Sequence, residues 1–227
     1  RAKEDGASLL LLPEAFAFLG PEGGQLQIAE SVSEGGPILH RCQEMARAAG
    51  IELVLGGFWE KSADPTKVYN TELHLSAQGD IVAQYRKIHL FDVDLPDGTC
   101  LMESESVEAG REVVVTATAF GSLGLSICYD LRFPMLYRAL VSRGAIALAI
   151  PAAFTLSTGK EHWHVLLRAR AIESQAYVLA AAQTGHHYGR RFSYGHALIA
   201  DPWGTVLAEC GEGEGVAVAW LDPGWVA

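Results

Sequence analysis

The chain has 227 residues, of which 49% are hydrophobic and 19% are charged. This composition excludes a disordered segment, which would lack the apolar surface needed to offset chain entropy. The 27 acidic and 17 basic side chains give a net charge of −10, which disfavours binding to a run of phosphates, so we expect no nucleic-acid partner. No run approaches the roughly 18 apolar residues of a membrane span and no signal peptide is recognised, so we expect no membrane partner.

Short apolar runs, each closed by a proline, a glycine or a charged residue, recur along the chain. Runs of this length that are rich in Leu, Ile and Val, and that do not alternate with polar residues, predict strands buried on both faces. They occupy residues 9–12, 51–58, 113–119, 123–127, 145–150 and 177–182.

Helical patterns lie between these runs. One opens at Pro37, a favoured first helical position, and stops at Gly50, a favoured residue just past a helix end. A second follows Pro134 and ends before Gly144, and a third covers about 160–175. Alternating strands and helices indicate an α/β fold.

Alternating polar and apolar segments around turn residues predict two hairpins. Their arms are residues 70–77 with 81–86, and residues 196–200 with 205–209. Because hairpins are antiparallel, the sheets are predicted to be mixed. We interpret the polar segment 186–191 as a loop.

Three polar residues lie at the ends of apolar runs, where α/β proteins commonly build ligand sites. They are Glu14, Lys87 and Cys128. Singly, each has an ordinary structural explanation, as a helix start, a solvated lysine and a small core residue. Together, a thiol, a carboxylate and an ammonium group are a set suited to acyl transfer. Sequence spacing does not show whether they meet.

Longer motifs surround these residues. They read Leu-Pro-Glu-Ala-Phe at 12–16, Tyr-Arg-Lys-Ile-His-Leu-Phe-Asp at 85–92 and Leu-Ser-Ile-Cys-Tyr-Asp-Leu-Arg-Phe-Pro at 125–134. In this order they resemble the Glu, Lys and Cys motifs of the nitrilase superfamily of carbon-nitrogen hydrolases. The similarity continues through residues 162–163, 167–173, 195–196 and 201–204, and so covers nearly the whole chain.

The resemblance implies a fold. It is an α-β-β-α sandwich, in which two mixed sheets pack face to face with helices on the outer faces. Members of the family usually associate through a helical layer, so we expect a homodimer or a higher homo-oligomer. We interpret residues 1–227 as a single domain that lacks the family's first strand and its C-terminal tail.

The resemblance also implies roles for five residues. Glu14 becomes the general base, Cys128 the nucleophile that forms a thioester, and Lys87 the group that stabilises the tetrahedral intermediate. Glu103 matches the second family glutamate, which positions the lysine, and Tyr129 contributes a backbone N–H to the oxyanion hole. Beside an ammonium group and a carboxylate, the Cys128 thiol is expected to be poised for attack, with no metal or other cofactor.

Within the superfamily, the chain is most similar to the branch that hydrolyses amides of 2-oxo acids. The favoured substrate is deaminated glutathione, whose cleavage gives 2-oxoglutarate and cysteinylglycine. One alternative is an omega-amidase that acts on 2-oxoglutaramate. A second alternative is a catalytically idle interaction protein that keeps the fold.

Several residues are candidates for substrate binding. Arg190 and Arg191 belong to a cationic segment, 186–191, that suits a substrate with two carboxylates. Arg132 follows the nucleophile, and either binds a carboxylate or pairs with an acidic residue of the fold. Phe154 ends a segment that is similar to the same branch.

The remaining polar residues give no further site. His162 and His164 are two positions apart on a predicted helix and point to different faces, so a zinc site is not predicted. His164 and Met135 stand where the nearest relatives commonly have glutamate, which leaves the local salt bridges open. The cysteines form no CxxC pair, which fits a reducing compartment, the cytoplasm and also the mitochondrion.

Overall fold

The structure, a computed structural model, describes residues 1–21, 23–94 and 100–226. Its strands are β1 (Leu9–Leu11), β2 (Glu52–Lys61), β3 (Val68–Leu75), β4 (Ile81–Arg86), β5 (Asp92–Asp94), β6 (Cys100–Met102), β7 (Val115–Thr118), β8 (Gly121–Leu125), β9 (Ala147–Ala149), β10 (Tyr177–Ala180), β11 (Thr184–Tyr188), β12 (Arg191–Tyr194), β13 (Leu198–Ala200) and β14 (Val206–Glu209). Its helices are α1 (Gly24–Ile28), α2 (Pro37–Ala49), α3 (Pro134–Ser142) and α4 (Leu156–Ser174).

The strands form two large sheets, both of them mixed. The first has the order β1-β2-β3-β4, with β1 parallel to β2 and the other pairs antiparallel. The second has the order β14-β13-β10-β9-β8-β7, in which only the β8–β9 and β9–β10 pairs are parallel. The predicted mixture of strand directions is therefore confirmed.

The two sheets pack against each other. Val54 and Tyr85 of the first sheet share one buried cluster with Leu123, Leu125 and Leu148 of the second sheet. Helix α2 covers the other face of the first sheet, whereas α3 and α4 cover the second sheet. These layers confirm the predicted α-β-β-α sandwich.

Helix α2 shows why its boundaries are readable from the sequence. Pro37 supplies the first helical residue, and Gly50 adopts a left-handed φ of 62° just past the end. The buried Glu30 carboxylate accepts hydrogen bonds from the backbone N–H groups of Ile38 and Leu39, at 2.7 and 2.9 Å. A side chain from outside the helix thus satisfies donors that the first turn leaves free.

Helix α4 begins at Leu156 rather than near residue 160. The extra turn contains Gly159, a weak helix former. This turn packs closely against Tyr194: a Cβ added to Gly159 would lie 2.3 Å from Tyr194 Cβ. The packing favours the helix here despite the weak helix propensity of glycine. The close approach of the helix to β12 therefore requires glycine at this position.

The prediction of a loop at residues 186–191 was wrong. Strands β11 and β12 pair there as an antiparallel hairpin, with a turn at Gly189, whose φ is 51°. The strands were missed because β11 is polar throughout most of its length and the alternation in β12 extends over only four residues. The hairpin separates Arg190, in the turn, from Arg191, in β12.

No helix within the described parts of the chain is both long enough and apolar enough to cross a membrane.

Candidate active site

The residues selected from the sequence meet where the two sheets face each other. Glu14 lies shortly after β1, and Lys87 directly follows β4 in the same sheet. Cys128 begins a 3-10 helix, Cys128–Arg132, which follows β8 of the other sheet. With Glu103, these residues line a cavity of about 240 Å³.

Lys87 lies between two carboxylates. Its ammonium nitrogen is 3.1 Å from Glu14 Oε1, and 3.0 and 2.8 Å from the two carboxylate oxygens of Glu103. The side chain is only 2% exposed. Burial by itself would lower the pKa of Lys87, but the charges of Glu103 and Glu14 outweigh it and raise that pKa well above its usual value. The lysine is therefore held as a cation.

Glu14 is held as an anion. Its Oε2 accepts a hydrogen bond of 2.8 Å from the Ala153 N–H, and its Oε1 accepts one from Lys87. Burial alone would raise the pKa of Glu14, but the Lys87 charge and hydrogen bonds from Cys128, Lys87 and Ala153 bring it below its ordinary value. A buried carboxylate beside a thiol is thus ready to accept a proton.

The Cys128 thiol differs from the poised group that the sequence predicts. Burial, and then the negative charge of Glu14, raise the pKa of Cys128 well above its usual value, and the nearby Lys87 charge only partly opposes this. The thiol therefore keeps its proton in the resting site. Cys128 also has a φ of 48°, a left-handed conformation that is rare for a side-chain-bearing residue.

Asn70 is part of this site, although the sequence analysis missed it. Its amide nitrogen donates to Glu14 Oε1 at 2.9 Å and to Glu103 Oε1 at 3.3 Å. It therefore links the two carboxylates that surround Lys87. In the sequence Asn70 is the first residue of a predicted hairpin arm, and no local signal marks it as part of a site.

Asp130 is a second missed residue. One carboxylate oxygen accepts from the backbone N–H of His89 at 3.0 Å and lies 2.6 Å from His89 Nδ1. The other accepts from the Tyr85 hydroxyl at 2.6 Å and from the Ile127 N–H at 2.8 Å. This buried carboxylate therefore ties the segment around Lys87 to the segment that carries Cys128. The sequence feature that could have identified Asp130 is its position two residues after Cys128.

The candidates for substrate binding separate into two groups. Tyr129, Arg132, Phe154 and Arg191 line the cavity, whereas Arg190 is exposed and is not among the lining residues. Arg191 donates to the Ala153 carbonyl oxygen at 2.6 Å.

The Arg132 guanidinium has aromatic and imidazole neighbours. It lies 5.3 Å from the centre of the Phe154 ring and 5.9 Å from that of Tyr129. One of its nitrogens is 3.2 Å from His162 Nδ1. Among the described residues Arg132 forms no ion pair with an acidic side chain, so its charge is available to an anion in the cavity.

The rest of the cavity wall is largely apolar. Those residues are Ala15, Leu19, Trp59, Phe91, Leu101, Met102, Glu105, Ser106, Ala153, Thr155, Thr158 and Tyr188. A wall of this kind, with a few convergent charged groups, suits a small organic substrate.

Comparisons with known proteins agree with this geometry. A protein family described as carbon-nitrogen hydrolase matches residues 1–227. A deaminated glutathione amidase of Synechocystis is 48% identical over 225 residues, which cover 98% of this chain and 82% of that protein.

Two solved structures are also similar. The NitFhit protein of C. elegans superposes with a TM-score of 0.92 at 44% identity, covering 100% of this chain and 55% of that one. Nit3 of Saccharomyces cerevisiae, a member of branch 10 of the nitrilase superfamily, gives a TM-score of 0.88 at 32% identity, covering 99% and 80%. From the fold, the site and these similarities together, this chain belongs to the carbon-nitrogen hydrolase family of the nitrilase superfamily.

Proposed function

We propose that this carbon-nitrogen hydrolase cleaves the amide bond of deaminated glutathione and releases 2-oxoglutarate and cysteinylglycine. The observation that carries the reaction type is the convergence of the Glu14 carboxylate, the Lys87 ammonium and the Cys128 thiol at one cavity. These groups suffice for acyl transfer through a thioester. The choice of substrate is supported by the Synechocystis relative, a deaminated glutathione amidase.

In the first half-reaction, Cys128 Sγ attacks the amide carbon while Glu14 accepts the thiol proton. Because the pKa of Cys128 is raised and that of Glu14 is lowered, the proton stays on sulfur until the C–S bond begins to form. Glu14 then passes the proton to the leaving nitrogen, the C–N bond breaks, and cysteinylglycine departs. The 2-oxoglutaryl group remains on Cys128 as a thioester.

In the second half-reaction, water replaces the departed amine. Glu14 takes a proton from the water as its oxygen attacks the thioester carbon. The C–S bond then breaks, the sulfur recovers a proton from Glu14, and 2-oxoglutarate is released. The enzyme returns to its starting protonation state, so each cycle consumes one water.

Both tetrahedral intermediates carry a negative oxygen. The Lys87 ammonium stabilises this charge, and Glu103 keeps the lysine in place and protonated. Tyr129 lies in the first turn of the 3-10 helix, where backbone N–H groups lack partners within the helix. This position supports the Tyr129 N–H as a hydrogen-bond donor to the oxyanion, beside the charge of Lys87.

The cavity also suits an anionic substrate. Deaminated glutathione has a carboxylate at each end, and Arg132 and Arg191 are cations that line the cavity. Charge-assisted hydrogen bonds from guanidinium groups are the strong, oriented contacts that carboxylates receive in proteins. Phe154 adds an apolar surface beside Arg132.

The proposal is tested by incubating the purified protein with deaminated glutathione and, separately, with 2-oxoglutaramate, and by following the appearance of 2-oxoglutarate. We expect a higher kcat/KM for deaminated glutathione. A preference for 2-oxoglutaramate would assign the chain as an omega-amidase instead. If the folded protein turns over neither substrate, the proposed activity is wrong.

Self-association and compartment are proposed on separate grounds. Met135, Val165 and Ile172 expose apolar side chains on the outer helices α3 and α4, and burying such a surface favours a homodimer or higher homo-oligomer. Sedimentation of the protein and of a Val165→Asp variant tests this, since the variant should sediment as a smaller species.

The compartment is proposed from the cysteines. Cys42, Cys128 and Cys210 are free thiols, which supports a location in the cytoplasm, with the mitochondrion as the second choice. Cell fractionation tests this location.

A further inference from the structure

Two histidines and a glutamate converge outside the residues that line the active-site cavity. His164 lies on α4, His196 precedes β13, and Glu209 is the last residue of β14. One potential ligand atom from each lies within 4.8 Å of the other two, and this is the only such cluster of three among the described residues. His164 faces away from its near neighbour His162, as the sequence predicts, but meets residues distant along the chain.

The two imidazoles aim at one oxygen atom. Glu209 Oε1 lies 2.9 Å from His164 Nε2 and 2.8 Å from His196 Nδ1. In a tetrahedral zinc site, bonds of about 2.0 Å set neighbouring ligand atoms about 3.3 Å apart. The Glu209 oxygen and each imidazole nitrogen therefore need to separate by only about 0.5 Å to reach this spacing.

The imidazole rings are held in place by other residues. The His196 ring stacks on Tyr194 with ring centres 4.3 Å apart, and His164 meets the edge of Tyr194 at 6.0 Å. The Trp163 indole N–H donates to the His196 backbone oxygen at 2.8 Å. Ligands that are oriented before the ion arrives lose less freedom on binding.

The surroundings favour a cation. In the described part of the chain, the ion pairs of the Glu209 carboxylate are with these two imidazoles, and no lysine or arginine competes for it. The side chains of His164 and Glu209 are each 32% exposed. This exposure gives an ion a path from solvent and leaves a fourth position for water.

We propose that His164, His196 and Glu209 form a zinc-binding site that fastens α4 to the β13–β14 hairpin. Each histidine binds through the nitrogen that now faces Glu209, with its proton on the other ring nitrogen, and water completes the tetrahedron. Because the ligands come from a helix and from a hairpin, bound zinc crosslinks two elements of the second layer. The site takes no part in amide hydrolysis.

The test measures zinc binding directly, without using activity. Thiols also bind zinc, so the protein is prepared with Cys128→Ala and Cys210→Ala, freed of metal, and titrated with Zn²⁺ against a chromophoric chelator. We expect one zinc per chain. His164→Ala, His196→Ala and Glu209→Gln should each weaken binding by more than about tenfold, since even an outer-shell partner of a ligand is worth about 10- to 100-fold in affinity.

His40→Ala is the matched control, because His40 is an exposed histidine on α2, at the other face of the sandwich. It should leave zinc affinity unchanged. Zinc should also raise the temperature of thermal unfolding in the parent and the His40→Ala protein but not in the three ligand variants. Unaltered affinity in the ligand variants, or the absence of stoichiometric binding by the parent, would overturn the proposal.

Discussion

The Lys87 ammonium group donates to both oxygens of the Glu103 carboxylate, at 3.0 and 2.8 Å, while its remaining contact is with Glu14 at 3.1 Å. An ammonium group has three protons, so these contacts use all of them. The lysine therefore cannot rotate freely, and its position is set mainly by Glu103. This relationship makes Glu103 a positioning residue in the proposed mechanism.

Replacing Glu103 by glutamine tests that role. The amide keeps one acceptor but loses the charge, so Lys87 is held less firmly and its raised pKa falls toward the ordinary value. We expect kcat to fall on the order of 100-fold, the cost of misplacing a catalytic group by about 1 Å. The alkaline limb of the pH–rate profile should also move to lower pH. The exposed Glu112→Gln is the control, and an unchanged alkaline limb in Glu103→Gln would contradict the positioning role.

The nucleophile is tested by Cys128→Ala. Loss of a nucleophile typically costs on the order of 10⁶-fold in kcat, so turnover should fall below detection. Replacing a buried thiol by a methyl group leaves only a small void, so circular dichroism and the unfolding temperature should change little. Cys210→Ala removes a half-buried thiol outside the cavity and should keep full activity. Measurable turnover by Cys128→Ala would remove Cys128 from its proposed role.

The hairpin β11–β12 provides a matched pair of arginines. Arg191 lines the cavity and Arg190 does not, so Arg191→Ala should raise KM for deaminated glutathione by about tenfold or more, the value of a charge-assisted hydrogen bond. The rise should be smaller for 2-oxoglutaramate, which has one carboxylate. Arg190→Ala should leave both KM values unchanged. Equal effects of Arg191→Ala on the two substrates would show that Arg191 does not bind the distal carboxylate.

Stability should depend on pH through His74. This buried side chain in β3 contacts Thr116 of β7 in the facing sheet, with Nδ1 3.0 Å from Oγ1, and Nε2 lies 4.0 Å from the Glu52 carboxylate. Burial lowers the pKa of His74 to about 4. In the unfolded chain His74 takes up a proton near pH 6.5, whereas in the folded chain it does so only near pH 4. The free energy of unfolding therefore has its full His74 contribution above pH 6.5 and loses it as the pH is lowered from 6.5 to 4.

The contribution lost across this interval is roughly 3 kcal/mol. Urea unfolding of the wild type and of His74→Leu at several pH values measures it. Other carboxylates titrate in both proteins, so the difference between the two curves isolates the histidine. That difference should grow from pH 4 to pH 6.5 and then stay constant. Parallel curves would show that His74 does not carry this pH dependence.

Local signals account for much of the fold. The bounds of α2 were predictable because Pro37 and Gly50 mark its ends, and unbroken apolar runs mark four strands of the second sheet, β7, β8, β9 and β10. The start of α4 could not be predicted, because the packing of Gly159 on Tyr194 outweighs the weak helix propensity of glycine. The β11–β12 hairpin was missed because β11 is mostly polar and β12 has only four residues.

The site was only partly predictable for a related reason. Glu14, Lys87, Glu103 and Cys128 were found because they lie in motifs that resemble a known family. Asn70 lies 56 positions from Glu14 and 33 positions from Glu103, so no local pattern in the sequence records either contact. The zinc-site candidates share the same property, because His164 and Glu209 are 45 positions apart. Contacts of this kind exist only after the chain has folded.

The hydrogen bond from the Ala153 N–H to Glu14 crosses from the second sheet's layer to the first. Neither layer alone therefore holds all the residues of the proposed catalytic centre. A compact state with native helices and strands but loosened packing between the layers, as in a molten globule, should have a normal far-ultraviolet spectrum and no turnover. During refolding, recovery of activity should thus report the moment when the two layers lock together, later than the recovery of secondary structure.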